Sequence, residues 1–292
     1  MQSSEVKLLD DTVCELGEGP AYDPLSDTLF WLDIAGKRLL GREIAGGVTH
    51  IHELPCMASA IAFIDEQRQL LATETGLMIR DRTSGQLELI QPIEADNPVT
   101  RSNDARVHPS GAFWIGTMGK KAERKAGSFY WYRKGELQRL FPDITVPNSI
   151  CFSPDGSLGY FVDSFVGKLF RVECDPANGM PIGEPAVLVD HSHLSTGIDG
   201  SVVDNDGNIW NAHWAAGCLD VYSPDGKQIE TIPLPVRQPT CPAFFGPDAD
   251  RLAITSAWEN MSEADRADDP EAGKTFELNR KVSGRHEPRV LL

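Results

Sequence analysis

Four oxygen-bearing side chains, Glu18, Asn103, Asn148 and Asp199, occupy one recurring slot in the chain. Each stands five residues before the residue that opens a polar turn, respectively Asp23, His108, Ser153 and Asp204. Their settings are alike. Glu18 lies in "GEGP", Asn148 in "VPNS" and Asp199 in "GIDGS", where Gly or Pro neighbours let the backbone bend and present the side chain. Two carboxylates and two amides brought together from separate segments suit a hard divalent cation such as calcium, magnesium or manganese, and zinc accepts such ligands too. Taken singly, Asn or Asp beside Gly or Ser is an ordinary turn cap; the shared slot sets the group apart. Two further units place Ala60 and Cys241 in the same slot, and Cys241 is expected to pack. Arg101, two residues before Asn103, falls on the same face of a strand. A cation beside a metal site needs an anion or polar substrate between them, so Arg101 reads as a substrate-binding guanidinium.

The elements that must position these residues are internal repeats. Six stretches share an apolar segment, a polar turn and a second apolar segment, among them "GPAYDPLSDTLFWLDI", "SICFSPDGSLGYFVDS" and "GSVVDNDGNIWNAHW". Matching residues of the second segment are Trp31, Leu71, Trp114, Phe161, Trp210 and Ala253, with successive gaps of 40, 43, 47, 49 and 43 residues. That is the period of a four-stranded propeller blade. The turns "SPDG" and "NDGN" supply a fixed φ at Pro, local capping by Asp or Asn, and Gly where φ is positive. The expected fold is all-β: a six-bladed β-propeller of four antiparallel strands per blade, one domain over residues 1–292. The last blade lacks a strand, and "EVKLLDD" near the start is expected to supply it and close the ring. The acidic run "WENMSEADRADDPEAGK" is expected to be an exposed loop with a helical turn.

Composition narrows the function. A net charge of −16 without a basic stripe argues against phosphate-backbone binding to nucleic acid. No apolar run reaches membrane-spanning length, and the first residues lack a signal-peptide pattern, so a cytoplasmic protein, expected as a monomer, is the reading. The six cysteines are scattered, which favours reduced buried thiols over a disulfide or zinc framework. "GxSxG" is absent, and a propeller offers no nucleophile elbow, so a covalent serine route is disfavoured.

"GEGP", "RSNDARVHPSGAFWIGTMG", "VPNSICFSPDG", "YFVDS", "GIDGSVVDNDGNIWNAHW" and "DPEAGKTFEL" together closely resemble the gluconolactonase/senescence-marker-protein (regucalcin-like) family, over nearly the whole chain. The resemblance implies a six-bladed propeller that hydrolyses a sugar lactone, such as gluconolactone or a pentonolactone, with one divalent metal ion in the channel. It carries the metal ligands onto Glu18, Asn148 and Asp199, the general base onto Asp199, and substrate contacts onto Arg101 and Asn103. The sequence departs from the animal relatives after "GTM", where they carry an acidic residue and this chain reads "GTMGKK". Lys121 is therefore expected as a substrate contact in place of that acid, although two solvated loop lysines would read the same way. His213, in "NAHWAAG", is a rim or packing candidate. Two alternatives stay open: another metal-dependent ester or phosphotriester hydrolase, and a non-enzymatic calcium-binding regulatory propeller.

Overall fold

A computed structural model describes residues 5–292. Its strands form six four-stranded antiparallel sheets arranged as blades around a ring. The first strand of each blade packs against the first strands of its two neighbours and so lines the axis: Gly17–Asp23, Ala58–Phe63, Thr100–Val107, Pro147–Phe152, Gly197–Val203 and Pro239–Phe245. Ring closure follows the expected route. Val6–Asp10 pairs antiparallel with Thr275–Leu278 as the outer strand of the sixth blade, with Val6 opposite Leu278 and Leu8 opposite Phe276.

Burial falls from axis to rim, and the sequence shows why. Second strands such as Thr28–Asp33 (TLFWLD) are apolar on both faces because each is sandwiched between blades, and every residue in that strand is buried. Fourth strands such as Thr49–Glu53 (THIHE) are polar and half-exposed. The repeat-marking residues Trp31, Leu71, Trp114, Phe161, Trp210 and Ala253 are all buried, none above 7% exposed. Trp114 shows what one such anchor does: its indole packs edge-on to Phe152 at 5.3 Å, and its Nε1 donates to the Gly179 carbonyl at 2.9 Å. Such aromatic pairs add about 0.5–1.5 kcal/mol beyond area burial. The turn chemistry also holds. Gly156 closes "SPDG" at φ 72°, donating to the Ser153 carbonyl.

The helical turn expected in the acidic run is Glu263–Asp268, started by a capping box between Ser262 and Asp265. The expectation that the whole run is exposed fails at its first residues. Both Trp258 and Glu259 donate backbone N–H groups to the Glu15 carbonyl, which pulls Glu259 into the channel mouth. All six cysteines are free thiols.

The last fourteen residues, 279–292, form no strand but run across the end of the channel where the inner strands finish. Arg285 donates to the Phe152 and Val203 carbonyls, and His286 Nε2 lies 2.9 Å from the Gly246 carbonyl. The Val290 N–H donates to Phe63, and Arg289 pairs with Asp23. At the centre Arg106 reaches across the axis, donating to the carbonyls of Ile150 and Ser201 and to Glu287 Oε1 at 3.0 Å. This strap closes one end of the channel.

Candidate active site at the open channel mouth

The opposite end holds a cavity of about 470 Å³. Glu18, Arg101, Asn103, Asn148 and Asp199 all line it, as the recurring slot implied. A shared irregularity explains the convergence. Pairing between first and second strands slips in every blade, at Glu18/Ala21, Ala58/Ala60, Ser102/Ala105, Asn148/Cys151, Ile198/Ser201 and Pro239/Pro242. A bulge bends its strand and re-aims the side chains beside it. Here the bulges coincide with the slot, so the four polar residues leave the sheet plane at one level. Two of them need a left-handed neighbour. Gly19 has φ 56°, and a Cβ there would stand 2.4 Å from the Ser59 carbonyl oxygen. Ser149 takes the same φ of 56° after Asn148 and is held by donating to the Asp199 carbonyl at 2.5 Å.

The electrostatics are those of a charged site short of partners. Arg101, Asn148 and Asp199 are 5–8% exposed, while Glu18 and Asn103 are half-buried. Burial pushes the Glu18 carboxyl up to about 8, with the nearby Asp104 charge adding to the effect. Burial, with Glu18 and Asp104 as like-charged neighbours, raises Asp199 well above the ordinary carboxylate range. Among the described residues no ion pair reaches either carboxylate; Glu18 accepts from the Gly19 N–H at 2.9 Å. Arg101 does not neutralise them by contact. Its Nη1 donates to the Ser102 carbonyl and to Asn103 Oδ1, at 2.8 and 2.7 Å, leaving Nε and Nη2 without a protein acceptor among the described residues.

Asn103 and Asn148 are tied in series. Asn103 Nδ2 donates to Asn148 Oδ1 at 2.6 Å, and Asn148 Nδ2 donates to Ser164 Oγ at 3.0 Å. Ser164 in turn donates to the Ile198 carbonyl at 2.6 Å. Ser164 therefore accepts from Asn148, which fixes the amide with its oxygen turned away towards the other slot residues. The donor set fits a divalent cation on chemical grounds. Two like-charged carboxylates, one buried and one half-buried, line one cavity with a fixed amide oxygen, and the neighbouring guanidinium pairs with neither of them.

Two sequence expectations change. Lys121 is exposed and does not line the cavity; its backbone N–H donates to Glu123, and the cavity wall there is Ala122. Lys120 pairs instead with Glu74 at 2.6 Å. The loop turns both lysines outward because Gly119 packs against Glu123 beneath them. Glu259 is the acidic residue the sequence reading missed. It is half-buried, lines the cavity, and has its carboxyl raised by burial against the opposing pull of Arg101. Ser164, Thr196 and Trp214 also line the cavity and had no assigned role; "YFVDS" placed Ser164 at the end of a strand, the one signal available.

His213 packs behind the wall. One of its ring nitrogens, Cys218 Sγ and an Asp220 oxygen lie within 4.8 Å of one another, a spacing a metal could bridge. The chemistry is poor for one: burial pushes the Cys218 thiol up to about 12, and His213 Nδ1 is already hydrogen-bonded to Asp220 at 2.7 Å.

The chain matches the family model described as SMP-30/Gluconolactonase/LRE-like region over residues 16–258. It is 48% identical to a Rhizobium meliloti (strain 1021) protein named "Putative sugar lactone lactonase", across 98% of this chain and 97% of that relative. It is 35% identical to the L-arabinolactonase of Azospirillum brasilense, across 97% and 94% of the two chains. Among solved structures it resembles one titled a calcium-binding protein, regucalcin, from Agrobacterium tumefaciens str. C58, with a TM-score of 0.97, 48% identity, and coverage of 98% of this chain and 97% of that one.

Proposed function

The chain belongs to the SMP-30/Gluconolactonase/LRE-like family, and from that premise we propose that it hydrolyses a sugar lactone to the sugar acid at the channel mouth, with one divalent metal ion held by Glu18, Asn148 and Asp199. The observation that carries this reading is the pair of carboxylates, half-buried Glu18 and buried Asp199, that share the cavity with an oriented amide oxygen and have no ion-pair partner among the described residues. Relatives named for sugar lactone and arabinolactone hydrolysis support the substrate class.

When bound, a divalent ion in such a site polarises a lactone carbonyl and acidifies water. The protein's own groups do the rest. Asp199 takes the proton of the attacking water. As the new C–O bond forms, the ring C–O bond breaks, and the departing ring oxygen takes up that proton to become the chain hydroxyl. Arg101 offers its free Nε and Nη2 donors to substrate oxygens, and Asn103, braced by Arg101, holds Asn148 in place. The mixed walls, with Met118, Ile198 and Trp214 beside the polar set, suit the apolar face of a sugar ring.

The test is a pH-stat assay of aldono- and aldarolactones on chelator-stripped protein, with calcium, magnesium, manganese and zinc added back singly. Turnover that requires a cation and is lost in Glu18→Gln and Asp199→Asn is expected. Tight cation binding without turnover would replace the reading with a non-enzymatic calcium-binding propeller. Faster turnover of paraoxon than of any lactone would replace it with a phosphotriester hydrolase.

A further inference from the structure

A hydrogen-bonded series leads from the cavity wall into the body of the fifth blade. Thr196, which lines the cavity, has Oγ1 2.8 Å from His213 Nε2. His213 Nδ1 lies 2.7 Å from Asp220 Oδ2. Both His213 and Asp220 are buried, at 5% and 3% exposed. Asp220 is ringed by donors: Gln228 Nε2 at 2.8 Å and the Thr231 hydroxyl at 2.7 Å on Oδ1, and the Tyr222 hydroxyl at 3.3 Å on Oδ2. His213 also stacks on His191 at 5.2 Å, which holds the ring plane.

The polarity of this series is determined by its inner end. An Asp220 that accepts from Gln228, Thr231, Tyr222 and the Cys218 thiol is an acceptor in every bond, so His213 carries its proton on Nδ1. In the neutral imidazole Nε2 is then a bare acceptor, and the Thr196 hydroxyl donates to it. With that proton committed, Thr196 Oγ1 has lone pairs alone to offer the cavity. A free threonine hydroxyl would rotate and serve donors and acceptors alike; this one is set to receive. A metal does not need such a group, since Thr196 stands outside the carboxylate and amide set. A ring hydroxyl does.

We propose that Thr196 is a specificity-determining contact, an acceptor-only hydroxyl that receives an O–H of the substrate ring, and that His213 and Asp220 are positioning residues that fix its polarity. The assignment rests on the lactonase reading and refines it: the preferred substrate carries a free hydroxyl at the ring position facing Thr196, and the deoxy or O-methyl lactone at that position is a poor substrate.

Matched aldonolactones and their mono-deoxy analogues test it. For the wild type, one deoxy analogue should lose about 10- to 100-fold in kcat/KM, the range for an unmade buried hydrogen bond. Thr196→Val should lose a similar factor on the parent lactone and less than about threefold on that deoxy analogue, and Thr196→Ser should recover most of the parent activity. In Asp220→Asn, the Gln228 and Thr231 donors hold the amide oxygen, turning its NH2 towards His213 Nδ1. The proton then moves to Nε2, Thr196 becomes a donor into the cavity, and the parent lactone is disfavoured. Nitrogen-15 NMR of labelled histidine reads that tautomer directly, Nδ1–H in the wild type and Nε2–H in Asp220→Asn, whatever the activity. Equal losses on parent and deoxy lactones in Thr196→Val, or an Nε2–H tautomer or a doubly protonated ring in the wild type, would overturn the assignment. If wild-type protein turns over no lactone at all, the lactonase reading itself falls, and this assignment with it.

Discussion

The two ends of the channel treat buried charge in opposite ways. At the strapped end, Arg106 is buried and fully engaged: two backbone carbonyls and Glu287 take its protons, and residues 279–292 cover it. At the open end, Glu18 and Asp199 are enclosed without an ion pair, and Arg101 keeps donors unused. The same kind of inner strand supplies both ends, separated by a few residues. Buried charge that the protein satisfies itself holds the ring together; buried charge left unsatisfied waits for a ligand. The difference is why the chemistry is proposed at the open end.

The strongest way to break this contrast is at Asp199. Asp199→Asn should lower kcat/KM for the best lactone about 1000-fold, in the range for removing a general base, while the melting temperature stays level or rises. A large loss of stability instead would make Asp199 a structural group like Arg106. The converse holds at the other end. Glu287→Ala leaves Arg106 without its ion-pair partner and should destabilise by about 3 kcal/mol in urea titration, with kcat/KM per folded molecule unchanged.

A pH series compares the ends within one protein. The folded state holds the Glu18 proton up to about 8, against 4.5 for an ordinary glutamate. The folded state therefore binds more protons than the unfolded state between those values, and stability falls as pH rises through that window. Chelator-stripped protein should lose a few degrees of melting temperature between pH 5 and pH 8 by about that linkage, and a divalent cation at pH 8 should restore it. Glu18→Gln should flatten the slope; an unchanged slope would place its origin elsewhere. Smaller still, Ser164→Ala frees the Asn148 amide and should weaken cation affinity about tenfold by calorimetry, as loss of an orienting partner does. The smallest effect belongs to Lys121→Ala, expected to alter kcat/KM by less than about twofold because the side chain is solvated outside the wall.

Much of this was readable from the chain because repeats make long-range geometry local. The 40- to 49-residue spacing of Trp31, Trp114 and their counterparts sets the blade count, and the common offset from each turn puts Glu18, Asn103, Asn148 and Asp199 in register. Strand alternation alone would not have aimed them; the bulge repeated in every inner strand does that, and a bulge leaves no mark in composition. Lys121 misled because a lysine two residues past a site strand is equally a contact or a solvated loop charge, and the fold of Glu123 beneath Gly119 decides which. Glu259 was hidden for the opposite reason. It sits in an acidic run that looks solvated, and the hydrogen bonds to the Glu15 carbonyl that turn it inward join residues more than two hundred positions apart.

By itself, then, the sequence determined the architecture and the donor types, since periodicity, turn chemistry and side-chain identity are written in the order of residues. The tertiary structure decided which charges are satisfied, which tautomer His213 holds and which end of the channel is open. Those depend on contacts between distant blades and on a C-terminal strap whose irregular backbone carries no periodic signal, and a hydrogen bond has no meaning until both of its partners have been placed.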